Sequence, residues 1–242
     1  SGEKSIEIGK ILGNIGLVCY AQGKYEHAVN YLNKAIIIII KQGDKYKIEL
    51  ANNYDTLALV YEKLGENDKV MEYFQKAVNI RKKNHQEKSL ENATTYSNMG
   101  SFLEKLNKHS EALEFQKKAL SIRLKEAGEN NPLTAASYSS IGKIYESLQQ
   151  YELAVENYSK ALKLYINIYS EKNFHVADLY RRIGLCYESM AKIENARYCY
   201  HKSYTSFLEC KGTNVSEIAT SLIKLGWCYE RQGNLVQADR KS

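Results

Sequence analysis

Proline is almost missing from this sequence: Pro132 is the single one among 242 residues. No stretch rich in proline, glycine or serine marks a linker, so composition offers no place to divide the chain. Long apolar runs are absent as well. Five consecutive isoleucines, Ile36 to Ile40, are bounded by Lys34 and Lys41 and fall far short of the about 20 residues that cross a bilayer. The first residues, "SGEKSIEIGK", lack the apolar stretch and small-residue cleavage site of a secretion signal. Both membrane insertion and secretion are disfavoured.

Metal-type spacing is also lacking. The five cysteines (Cys19, Cys186, Cys199, Cys210, Cys228) form no CxxC pair, and no histidines pair at ligand spacing. The reading is a cytoplasmic chain with reduced, mostly buried thiols, no metal and no cofactor. Basic residues outnumber acidic ones by 34 to 28, but the surplus is spread along the chain, which does not indicate nucleic-acid binding. Gly9, Gly13 and Gly16 in "IGKILGNIG" follow no strand and precede no Gly-Lys-Ser/Thr, so they are no phosphate loop. No spacing assigns a Ser-His-Asp or Cys-His set, and a non-catalytic chain is expected.

What the sequence does have is a period of 42 residues. Gly16, Ala58, Gly100, Gly142, Gly184 and Gly226 form one ladder, and Ala28, Val70, Ala112, Ala154 and Ala196 form another. A third runs Ala35, Ala77, Ala119, Ala161 and Ser203. Within a unit the spacing is helical: Tyr138, Ile141, Gly142 and Tyr145 fall at i, i+3, i+4 and i+7, and Ala154, Tyr158, Ala161 and Leu162 form a second stripe. Between the stripes lie Gly23, Gly65, Asn107, Gln149, Ala191 and Gly233, where a left-handed helix cap is expected. The small residues let two helices approach closely, so bulk at Gly100 or Ala119 is expected to overpack the core.

Through Tyr138, Ile141, Gly142, Tyr145, Ala154, Tyr158 and Ala161 the chain resembles the tetratricopeptide repeat, a helix-turn-helix unit. The resemblance implies an all-α, right-handed superhelical solenoid. The common repeat is shorter, with 34 residues. The lengthened second helix and the loop "GENNPLTAASYSSIG" look like the kinesin-light-chain type. Units are expected at about 6–47, 48–89, 90–131, 132–173 and 174–215, with an incomplete one at 216–242, forming a single solenoid read as a segment of a longer protein.

The resemblance further implies a concave groove, lined by first-helix residues, that holds a protein or peptide partner. The positions it selects are Asn14, Asn98, Ser139, Lys143, Arg181, Arg182, Lys224 and Trp227. Asn14 and Asn98 match asparagines that hold a peptide backbone, and the basic stretch from Lys143 to Lys224 suits an acidic segment. Charge reversal at Arg181 and Arg182 is expected to weaken such binding without unfolding the array. The carboxylate clamp of some members is missing, since Gly13 and Leu17 stand where lysine and asparagine are needed. The ladder Glu62, Glu104, Glu146, Glu188 and Glu230 is expected to pair with neighbouring bases. In the isoleucine run, Ile36 and Ile38 match core positions. Ile37 and Ile39 match Asn79 and Arg81, which reads as solvent and marks a further contact patch. The function read is a scaffold or adaptor. A peptide-responsive regulator and a subunit docked in a cytoskeletal assembly are the alternatives.

Overall fold

The structure is a computed structural model that describes residues 2–84, 86–210 and 215–239. Eleven α-helices account for most of the described residues, among which no strand occurs. They are α1 (Gly2–Ala21), α2 (Tyr25–Lys41), α3 (Lys47–Leu64), α4 (Asn67–Lys83), α5 (Leu90–Lys105), α6 (His109–Glu126), α7 (Pro132–Ser147), α8 (Tyr151–Tyr169), α9 (Phe174–Ser189), α10 (Ile193–Glu209) and α11 (Val215–Asp239). The chain divides into two compact units, Ser1–Phe102 and Leu103–Ser242, with the boundary inside α5.

In the first unit α1 packs on α2, α2 on α3, and α3 on α4. In the second, α6 packs on α7, and the order α7, α8, α9, α10, α11 continues neighbour on neighbour. Each helix-turn-helix closes in the same way. Gly23, Gly65, Asn107, Gln149 and Ala191 all take positive φ, between 56° and 77°. The next residue's N–H then reaches back five residues, Lys24 to Cys19, Glu66 to Tyr61, Gln150 to Tyr145 and Lys192 to Tyr187, at 2.8–3.0 Å. Because these backbone bonds tie the turn, even Gln149 and Ala191 accept the left-handed conformation that glycine adopts more freely. Gly233 is different: α11 runs helical through it, so the expected sixth turn does not form. A continuing helix satisfies its own backbone, whereas a turn needs the packing of a second helix to offset its strain.

The core explains the small-residue ladders. A Cβ on Gly142 would stand 2.6 Å from the Tyr158 ring, and one on Gly184 2.7 Å from that of Tyr200. Gly16 is confined in the same way, 2.7 Å from the Leu32 side chain. Ala28, Ala77, Ala112, Ala119, Ala154, Ala161 and Ala196 are all fully buried. In the loop before α7, Gly128 takes φ +83° and Thr134 donates to its carbonyl at 2.8 Å. Asn131 then caps α7 by accepting from Leu133 N–H at 2.8 Å, with Pro132 opening the helix.

The isoleucine run divides differently from the expectation. Ile37 is 55% exposed, but Ile39 is 1% exposed and belongs to the core. The misreading came from its ladder partners, because arginines at 81 and 123 look like solvent positions. Arg81 is in fact 1% exposed and Arg123 4%, and Tyr165 and Phe207, the next on the ladder, are buried too. The position is an interior one whose arginines are held by polar partners rather than by water.

Candidate functional site

In the first unit α1 and α3 enclose an open pocket of about 260 Å³ on the first-helix face. Lys10, Gly13, Asn14 and Leu17 line it from α1, and Glu49, Asn52, Asn53 and Thr56 from α3. Gly13 leaves room for Asn53, since a Cβ there would lie 2.6 Å from Asn53 Oδ1 and make that side chain shift. Asn53 is oriented by donating to Glu49 O at 2.7 Å, and Thr56 donates to Asn52 O at 3.0 Å. Asn14 is exposed at the rim, and Asn98 is half-buried on α5.

Beneath this pocket Arg81 forms a closed polar node. Its Nη2 donates to Asn52 Oδ1 at 2.9 Å and to Asp55 Oδ2 at 2.5 Å, while Nη1 donates to Thr95 Oγ1 at 2.8 Å. Thr95 in turn donates to Asp55 Oδ1 at 2.9 Å. Burial raises the Asp55 carboxyl above its ordinary value, although Arg81 and Thr95 pull the other way. The node ties helices α3, α4 and α5 together, so the pocket's α3 wall rests on a fixed floor.

In the second unit the basic residues picked from the sequence lie on α7, α9 and α11, and each is already engaged. Lys143 meets Glu104 at 2.8 Å, and Lys224 meets Glu188 at 2.9 Å. Arg182 donates through Nε to Asp178 at 2.9 Å and lies 3.6 Å from Glu146, while Arg181 bonds the other Asp178 oxygen. Burial alone would raise Asp178, but the guanidiniums of Arg182 and Arg181 overcome it and hold the carboxyl below its ordinary value. Glu146 and Glu188 also accept hydroxyls from Tyr158 and Tyr200, both at 2.5 Å. Burial, reinforced by these carboxylates, raises both phenols well above their usual range. Arg231 lies 5.4 Å from the Trp227 ring, and Ser139 is half-buried on α7.

The glutamate ladder therefore joins successive units. Lys143 pairs with Glu104, 39 residues before it, rather than with the nearby Glu146. Four bases face four carboxylates, so the stretch from Lys143 to Lys224 carries its own acidic partners. Charge reversal at Arg181 and Arg182 would disturb this network as well as any partner, because both arginines are mostly buried in it.

Sequence reasoning also missed a second pocket, of about 410 Å³, on α8, α9 and α10. Leu162, Tyr180, Ile183, Tyr187, Tyr198 and Cys199 line it together with Ser159, Glu194 and Asn195. Its signal lies in the ladders: Cys199 replaces Tyr73, Phe115 and Asn157, and Tyr198 replaces Glu72, Glu114 and Glu156. A small thiol there leaves room that the larger residues fill. Burial pushes both the Tyr180 phenol and the Cys199 thiol up to about 12. Among the described residues, no cluster of groups could hold a metal ion, and no helix is long and apolar enough to cross a membrane.

A profile of the tetratricopeptide repeat matches residues 7–83 and 91–167. Solved structures share the fold at low identity. BtubC (BKLC) from P. vanneervenii aligns with a TM-score of 0.71 at 18% identity, over 90% of this chain and 85% of that one. The nearly identical TPR-like repeats of a Podosopora anserina kinesin light chain align at 0.71 and 14%, over 84% and 95%. The apo form of RapI aligns at 0.80 and 16%, over 98% of this chain and 63% of that one. Among curated proteins, none matches the sequence.

Proposed function

The chain belongs to the tetratricopeptide repeat family, and on that premise we propose that it is a non-catalytic scaffold or adaptor holding a segment of a protein partner on its first-helix face. The observation that carries the reading is the α1–α3 pocket, where Asn14, Asn52 and Asn53 gather amides over the fixed Arg81 node. Amides offer both a donor and an acceptor, which is what an extended backbone needs from a surface that lacks a free strand edge. Asn98 extends this polar surface on α5. The second unit carries a separate candidate contact surface, Ser139, Lys143, Arg181, Arg182, Lys224 and Trp227, whose paired bases favour a segment of mixed polarity over a strongly acidic one. Exposed Ile37 is a separate apolar contact on α2.

The test is peptide selection against the whole chain, followed by titration of selected peptides into Asn14→Ala and Asn98→Ala. Affinity is expected to fall about tenfold in each, with thermal stability unchanged. Selected peptides that bind both variants as tightly as the parent chain would sink the assignment.

A further inference from the structure

We propose that the α8–α10 pocket is a further binding site, one that takes an aromatic side chain of a protein partner. It belongs to the second unit alone and does not rest on the first-helix groove.

The repeat itself indicates what fits there. In the second repeat the Tyr73 ring packs against Tyr54 and Tyr61, with centroids 5.7 and 5.4 Å away and the Tyr61 pair stacked. Three periods on, Tyr180 and Tyr187 keep the places of Tyr54 and Tyr61, while Cys199 takes the place of Tyr73. Ile183 likewise follows Leu57, and Leu162 follows Ile36. The walls of a ring site are retained and the ring is gone. The space is the pocket of about 410 Å³, lined by buried Tyr180, Ile183 and Cys199, with Tyr198 exposed. Burial raises the Tyr180 phenol and the Cys199 thiol alike, so both stay uncharged and the lining suits an apolar guest.

A cation is left over as well. The residue three after the ring position is lysine in five repeats: Lys34, Lys76, Lys118, Lys160 and Lys202. The first three lie over Tyr31, Tyr73 and Phe115, 4.4–5.9 Å from the ring centroids. In the fourth repeat Asn157 donates back to Leu153 O at 2.8 Å, and Lys160 lies 5.7 Å from the Tyr138 ring instead. Lys202 follows a thiol and pairs with Glu171 at 3.4 Å. A partly exposed pair of that length contributes little, so the ammonium can turn to an electron-rich ring face. Charge complementarity and the vacated space therefore select the same occupant. The pocket is open, whereas small-molecule sites enclose most of their ligand, so the ring is one carried on a partner's backbone. Aromatic anchors seated in such pockets dominate the affinity of protein interfaces.

Two measurements on the whole chain test this. In the first, peptides selected on the parent chain are counter-selected on Cys199→Phe, which returns a ring to the site from within. Cys199→Phe is expected to keep a thermal midpoint at or above the parent's. Peptides lost on Cys199→Phe should share an aromatic residue, and replacing it by leucine should weaken binding to the parent about tenfold or more. Tyr198→Glu restores the residue type of three other repeats at an exposed position. It should weaken the same peptides severalfold, and serves if Cys199→Phe misfolds. In the second, the Ile183 δ1 methyl signal is followed by NMR as one of these peptides is added. A ring-current shift is expected in the parent chain and none in Cys199→Phe. An unshifted Ile183 signal, or peptides that need no aromatic residue, would overturn the assignment. N-acetyltyrosinamide binding as tightly as the peptides would assign the pocket to a free aromatic ligand and overturn the protein partner. A selection that yields only peptides bound equally by Cys199→Phe would also overturn the site, and would leave the first-helix groove to its own asparagine variants.

Discussion

Gly142 lies so close to Tyr158 that a Cβ on it would stand 2.6 Å from the tyrosine ring. The ring cannot swing away, because its hydroxyl is held by Glu146. Gly142→Ala is therefore expected to destabilise the chain by about 1–3 kcal/mol. Gly226, on the same ladder, has nothing within 4 Å of such a Cβ, so Gly226→Ala should be neutral or stabilising by up to about 1 kcal/mol. Urea unfolding of the two variants checks the contrast, which sequence alone would not draw.

Charge reversals should separate by burial. Arg182→Glu sets a carboxylate against Asp178 and Glu146 and should cost about 2 kcal/mol or more, visible as a lowered thermal midpoint. Lys143 is 49% exposed, so Lys143→Glu should change stability by less than about 1 kcal/mol despite losing Glu104. Lys143→Glu is thus the cleaner probe of partner electrostatics.

Asp178 makes stability depend on acid. Its folded carboxyl sits below the unfolded value, so its contribution is full above about pH 4 and is lost as pH falls through the lower folded value. Unfolding midpoints measured from pH 6 downward should drop more steeply for the parent chain than for Asp178→Asn. Parallel curves would show that the two arginines do not perturb Asp178.

Thiol reactivity should follow burial. Burial pushes both Cys186 and Cys199 up to about 12, and Cys228 is also buried and raised. At pH 8 these three should resist iodoacetamide in the native chain, while half-buried Cys19 and Cys210 react first. Mass spectrometry before and after denaturation reads the order directly.

Much of this was legible without coordinates. Each unit must bury the same stripe, so Gly142, Ala154 and Ala161 recur at one spacing wherever two helices touch. The left-handed turns were visible as glycine and asparagine at 23, 65 and 107, and less so at Gln149 and Ala191, where backbone bonds rather than residue type set the conformation. The first-helix positions could be named, but their partners could not. Glu104 with Lys143 and Glu188 with Lys224 are joined by stacking across units, at separations that no helical periodicity marks.

By itself, then, the sequence determined the repeat, its helical stripes and the face on which Asn14 and Asn98 sit, because these depend on local periodicity and on residue size. Tertiary structure alone decided which charges are spent and which remain. Arg81 and Arg123 are the same residue type at the same ladder position, yet one meets Asp55 and the other meets Ser137 and a backbone carbonyl. Electrostatics depends on distances and burial between segments far apart in the chain, and only packing sets those.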